Sequence, residues 1–219
     1  MSIKQNLQQI KDTLPSNVTL VAVSKTKPVT DLQEAYNAGQ RIFGENKIQE
    51  MVQKWETLPK DIEWHMIGHV QRNKVKYMAE FISLIHGVDS LKLLTEINKQ
   101  AAKHNRIISC LLQIHIATEE TKFGLNEEEL ITLLTSEDFK NLKNIEIKGL
   151  MGMATFTSNK NQIKKEFSSL KSIYNNTKET IPSISIISMG MSGDYQIAVE
   201  EGSTMVRIGS SIFGVRNYK

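Results

Sequence analysis

Val18–Pro28, VTLVAVSKTKP, is the stretch that decides the fold. Val18–Ser24 is a short β-branched apolar run, the pattern of a strand buried on both faces. The loop after it, Ser24-Lys25-Thr26-Lys27-Pro28, contains no glycine. A doubly wound open sheet with a dinucleotide fingerprint would carry a glycine-rich turn here. A closed parallel barrel has no such requirement at its first loop.

Working outward, the chain alternates. Thr30–Gly39 reads as a helix, with Thr30 and Gln33 in capping-box spacing and Gly39 as its stop. Further strands are expected at 41–44, 63–68, 81–88, 107–117, 145–153, 184–191 and 203–209. Helices are expected between them at 45–58 and 71–80, from Ser90, behind an Asn126/Glu129 cap, along Ile163, Phe167, Leu170 and Tyr174, and at 194–202. Strands separated by helices pair in parallel, because each return crosses over through a helix. About eight such units in 200–250 residues make an α/β fold of the (β/α)8 TIM-barrel class. Ile3, Leu7, Ile10 and Leu14 share one helical face, so an extra N-terminal helix is expected in 1–16, before a barrel over 18–216. The four prolines are scattered and no linker is visible, which predicts a single domain over 1–219.

Composition narrows the function classes. The 219 residues are 40% hydrophobic and 23% charged, enough apolar material for a core. Lys+Arg 27 against Asp+Glu 24 gives +3, too even a balance to argue for nucleic-acid binding. Cys110 is the only cysteine, which excludes an intrachain disulfide and fits a reducing, cytoplasmic setting. No apolar run reaches the ~18 residues of a membrane span, and the N-terminus has no signal-like apolar region. Nothing argues for an obligate interface, so a monomer is expected.

Several residues could carry chemistry. Lys25 ends the first strand, at the barrel mouth, where partial desolvation would free its amine to attack an aldehyde. Lys27 shares its face if the strand continues; otherwise both are solvated loop lysines. Two glycine/serine loops, MGMSGD and RIGSSIFG, follow the seventh and eighth strands, where barrels recurrently bind phosphate. Ser192, Gly193, Gly209, Ser210 and Ser211 are the candidates. Arg207, inside the eighth strand, either pairs with Asp194 or Glu200 or points at a ligand. Asn46 either meets a ligand hydroxyl or caps the second helix. His65 and His69 are four apart, but a strand and turn containing Gly68 make a poor metal site. His115 reads as a satisfied polar group, and the basic QRNKVK stretch as a solvated helix face.

AVSKTKP, FGENKIQE, WHMIGHVQRNK, GLMGMA, SMGMSGD and GSTMVRIGSSIFG, in that order from about Val18 to Arg216, together resemble the pyridoxal-phosphate homeostasis protein family. The resemblance implies a barrel like the N-terminal domain of alanine racemase. It implies pyridoxal 5′-phosphate held by Lys25 as an internal aldimine and a phosphate cradle at Ser192, Gly209 and Ser210. It places Arg207 by the pyridine nitrogen and Asn46 near the ring. His115 and Thr155 stand where the family usually has Asn and often has Pro.

The first reading is a non-enzymatic carrier that buffers the cofactor and contacts pyridoxal-phosphate-dependent apo-enzymes transiently, with neither nucleic acid nor membrane expected from the charge balance and hydropathy. An arginine at the pyridine nitrogen disfavours protonation and weakens the electron sink. The competing readings are a fold-type III racemase or decarboxylase and a Schiff-base aldolase. Lys27 or Lys122 could take part in transfer.

Overall fold

The computed structural model describes residues 2–119 and 123–214. Eight parallel strands close on themselves in sequence order: β1 (Thr19–Val23), β2 (Ile42–Glu45), β3 (Glu63–Met66), β4 (Ile82–Val88), β5 (Ile108–Ile114), β6 (Ile145–Gly152), β7 (Ile186–Ser188) and β8 (Met205–Ile208). Pairing of Thr19 with Met205 through Ala22 with Ile208 seals the cylinder. The helices are α1 (Ile3–Thr13), α2 (Val29–Asn37), α3 (Ile48–Thr57), α4 (Leu91–Lys103), α5 (Glu127–Thr135), α6 (Glu137–Lys140), α7 (Lys160–Thr180), α8 (Tyr195–Glu200) and α9 (Ser210–Phe213). The expected TIM barrel, with its additional N-terminal helix, is the observed fold.

Alternation along the strands builds two cores. Leu20 and Ala22 face outward into a large apolar layer under the helices, joined by Phe43, Trp64, Ile85, Leu112, Phe167 and Ile208. Val21 faces inward with Leu84, Leu111, Met151 and Met205. The same period carries Val23 toward the inside at the C-terminal end of β1, and Lys25 follows in the loop that lines the mouth. Leu7 and Ile10 bury α1 in the outer layer, and Asn6 Nδ2 ties it to the Ile212 carbonyl of α9 at 3.0 Å.

The helix signals had mixed success. Asn126 and Glu129 form the expected capping box, and Ser2 with Gln5 forms another. The Thr30/Gln33 box does not form: α2 starts at Val29 behind Pro28, so Thr30 is already inside the first turn. Gln33 instead donates to Asn37 Oδ1. The helix expected at 71–80 is a 3-10 helix, Arg72–Tyr77, in which Val75 alone is buried. One buried residue leaves no apolar face to favour full α turns. Asn46 is not a helix cap, because Lys47 occupies that position without a side-chain bond. No helix among the described residues is long and apolar enough to cross a membrane.

Candidate functional site

The mouth at the C-terminal ends of the strands opens into a cavity of about 580 Å³. Lys25, Asn46, Ser192, Arg207, Gly209 and Ser210 all line it. A smaller hollow of about 360 Å³ lies at the opposite end of the barrel, beside Lys11 and Arg41.

Lys25 is half-buried in a tight turn. The Lys27 amide donates to the Ser24 carbonyl at 3.0 Å, and Thr26 has φ +64. The strand therefore stops at Val23, and Lys27 does not share an extended face with Lys25. Lys27 Nζ instead donates to the carbonyls of Phe213 (2.8 Å) and Gly214 (3.1 Å), clasping the first loop to the end of α9. Lys122 lies outside the described residues.

The loops after β7 and β8 meet on the far side. The Gly209 amide donates to Ser192 Oγ at 3.3 Å. A Cβ at Gly209 would sit 3.0 Å from the Val23 carbonyl, so glycine allows β1 and this loop to come together. Like the first amides of any helix, those of Ser210 and Ser211 have no partner within it and suit an anion. Gly68 has a comparable role across the mouth: its Cβ would stand 2.7 Å from the Asn46 carbonyl. That close packing explains the glycine between His65 and His69 better than metal binding does. Among the described residues, no group of three or more His, Cys, Asp or Glu could hold a metal. His69 stacks on Phe123 and approaches Asp89 at 3.5 Å. His115 Nε2 is satisfied by the Glu119 carbonyl at 3.0 Å.

Arg207 forms the floor. It is 3% exposed and donates to the Ser188 carbonyl (2.8 Å), Ser188 Oγ (2.6 Å) and the Gly152 carbonyl (3.1 Å). Of the two readings, carboxylate pairing or pointing at a ligand, neither is decided by these hydrogen bonds, which go to neutral acceptors. Burial lowers its pKa to about 10, partly opposed by the charge of Asp194. Arginine can only donate, so Ser188 Oγ accepts from it; in the tautomer with hydrogen on His86 Nε2, the Ser188 hydroxyl donates to His86 Nδ1 at 3.0 Å. His86 Nε2 then donates to His65 Nδ1 at 3.0 Å. Both imidazoles are neutral: desolvation takes His65 down to about 3 and His86 well below its ordinary value. The result is a buried, polarised row that ends in a cation under the mouth.

A family model described as alanine racemase, N-terminal domain, matches residues 1–217. A protein of Vibrio alginolyticus named pyridoxal phosphate homeostasis protein is 38% identical over 232 aligned positions, covering 99% of each chain. The chain belongs to the pyridoxal phosphate homeostasis protein family.

The structure of PipY from Synechococcus elongatus PCC7942 without PLP superposes with a TM-score of 0.92 at 33% identity. The PLP-bound form gives 0.88 at 32% identity, and each match covers 97% of this chain and 100% of PipY. Alanine racemase of Clostridium difficile 630 shares the fold at 14% identity and TM-score 0.79, over 58% of its own length. Sequence reasoning missed other members of the site. Gln113, Phe123 and Phe156 also line the cavity, beside Thr155, which the sequence marks as a departure from the family pattern. Gln113 is a polar residue in a strand as apolar as that of Arg207, a signal that could have identified it. Glu166 fixes Thr155 through its amide (2.6 Å) and hydroxyl (2.7 Å), a long-range contact with no sequence signature.

Proposed function

We propose that the mouth holds pyridoxal 5′-phosphate and that the protein carries and buffers it reversibly as a Schiff base on Lys25, without turnover of its own. The observation that carries this reading is the meeting of an amine, a buried guanidinium and a paired glycine/serine cradle in one cavity. When bound, the cofactor would supply an aldehyde carbon to which the Lys25 amine could add, with water as the leaving group. The donor set fits the group's phosphate, with Ser192, Gly209 and Ser210 on that end and Asn46 facing the ring. Arg207 offers only donors, so a ring nitrogen in contact with it must be unprotonated, which makes a weak electron sink. A weak electron sink is compatible with storage, and the turnover assay below separates it from racemase or decarboxylase chemistry.

The rim suits hand-over to apo-enzymes by transient contact: Phe123 is half exposed and Phe156 is 94% exposed beside the cavity. The decisive experiment is borohydride reduction of the loaded protein followed by peptide mapping. The reduced adduct is expected on Lys25 and is lost in Lys25→Ala. Label on another residue, or amino-acid turnover above free cofactor that Lys25→Ala abolishes, overturns the carrier reading.

A further inference from the structure

Behind the first loop, on the outer side of the barrel, lies a charged cluster that the mouth does not use. Lys54, one turn after Glu50 on α3, is 4% exposed. Its three donors go to the Ser24 carbonyl (2.8 Å), Glu45 Oε1 (2.7 Å) and Glu50 Oε1 (2.7 Å). Ser24 Oγ donates to the same Glu45 oxygen at 2.6 Å, and the Thr26 amide donates to Glu50 Oε1 at 2.6 Å. The residue before Lys25 and the residue after it are therefore both gripped by these side chains.

What they hold is a strained turn. A positive φ at the third residue of a four-residue turn is the mark of type II, where glycine or asparagine is usual. Here it is borne by Thr26, a β-branched residue. Rotation of the peptide between Lys25 and Thr26 would relieve Thr26, but would turn its N–H away from Glu50. Buried ion pairs are poor sources of net stability, because desolvation offsets their attraction. Fixed geometry is what this one supplies.

We propose that Glu50 and Lys54 are positioning residues for Lys25: the Glu50 carboxylate, oriented by Lys54, locks the Thr26 turn and so holds the amine ready at the mouth. This rests on Lys25 being the reactive amine. Pre-orientation of a nucleophile lowers the entropic barrier to capture.

The test is stopped-flow capture of pyridoxal phosphate, followed by borohydride trapping and mapping of Lys25. Glu50→Ala, which keeps the Lys54–Glu45 pair, is expected to slow capture about tenfold, the equivalent of about 1.4 kcal/mol. Glu50→Gln keeps an oxygen facing the Thr26 amide and is expected to stay within about twofold of the parent, a rescue that loss of charge alone would not give. In the unaltered protein, the exposed Thr26 amide is expected to be protected from hydrogen exchange. Parental capture by Glu50→Ala, capture by Glu50→Gln as slow as by Glu50→Ala, or a rapidly exchanging Thr26 amide overturns the clamp alone. A parent with no reduced label on Lys25 overturns the Lys25 reading, and the clamp with it.

Discussion

Between the strands and the helices the barrel is packed with aliphatic and aromatic side chains, whereas inside the strands a small apolar cluster, five of its residues buried, shares the lumen with His65, His86, Ser188 and Arg207. The outer layer does what a large core does: it removes apolar surface from water. The lumen removes polar groups from water, which is unfavourable unless each finds a partner. The row from Arg207 to His65 supplies those partners. The contrast separates a layer that sustains the fold from one whose arrangement makes sense only in terms of the mouth above it.

Acid should break the lumen first. The folded His65 titrates at about 3 against an ordinary 6.5, and His86 is lowered in the same direction. Between those pH values the unfolded chain binds protons that the folded chain refuses. Stability from this source is complete above pH 6.5 and falls as pH drops toward 3, at about 1.4 kcal/mol per pH unit per histidine. Urea unfolding across pH 4–7 measures this slope. His65→Asn keeps an amide near His86 and removes one titration, so its curve should be flatter. An unchanged slope would mean that the histidines are not the acid-labile groups.

A single cut in the outer layer should cost nearly as much and act differently. Phe167 on α7 is fully buried there. Phe167→Ala is expected to lose about 3–5 kcal/mol, measured by urea unfolding. Well below its melting temperature the folded variant should still bind the cofactor as the parent does. A large affinity loss would show that the two layers are mechanically coupled.

The two layers also differ in how far the sequence reveals them. Strand periodicity gives the outer layer directly, and loops after β1, β7 and β8 mark Lys25, Ser192, Gly209 and Ser210 by position alone. Arg207 stands out as a charge in an apolar strand. His86 does not, because one histidine in FISLIHGV reads as a tolerated core residue, and its partners come from β3 and β7, 21 and 102 residues away. Lys54 is concealed in another way: Glu50 and Lys54 at i,i+4 look like an exposed helical pair. Only the approach of β1 and β2 buries Lys54. Thr26 could not be read as strained, since nothing in its local sequence signals a left-handed backbone and its bond to Glu50 comes from 24 residues away.

Two buried serines give the finest comparison. Ser188 Oγ lies in the lumen between Arg207 and His86. Ser203 Oγ, equally buried, is near the carbonyls of Ile187, Met189 and Met205 at 2.8–3.3 Å. Each alanine substitution removes a buried hydroxyl and is expected to lose about 1–3 kcal/mol in urea unfolding. Affinity is where they should part. Ser188→Ala takes from Arg207 one of its three acceptors and frees the guanidinium to reorient, so pyridoxal phosphate titration should show severalfold weaker binding. Ser203→Ala disturbs only carbonyls between β7 and β8 and should leave affinity unchanged. Equal affinities in the two variants would reduce the lumenal row to ordinary packing. Weaker binding in Ser188→Ala alone would make it the support that holds a cation under the ligand.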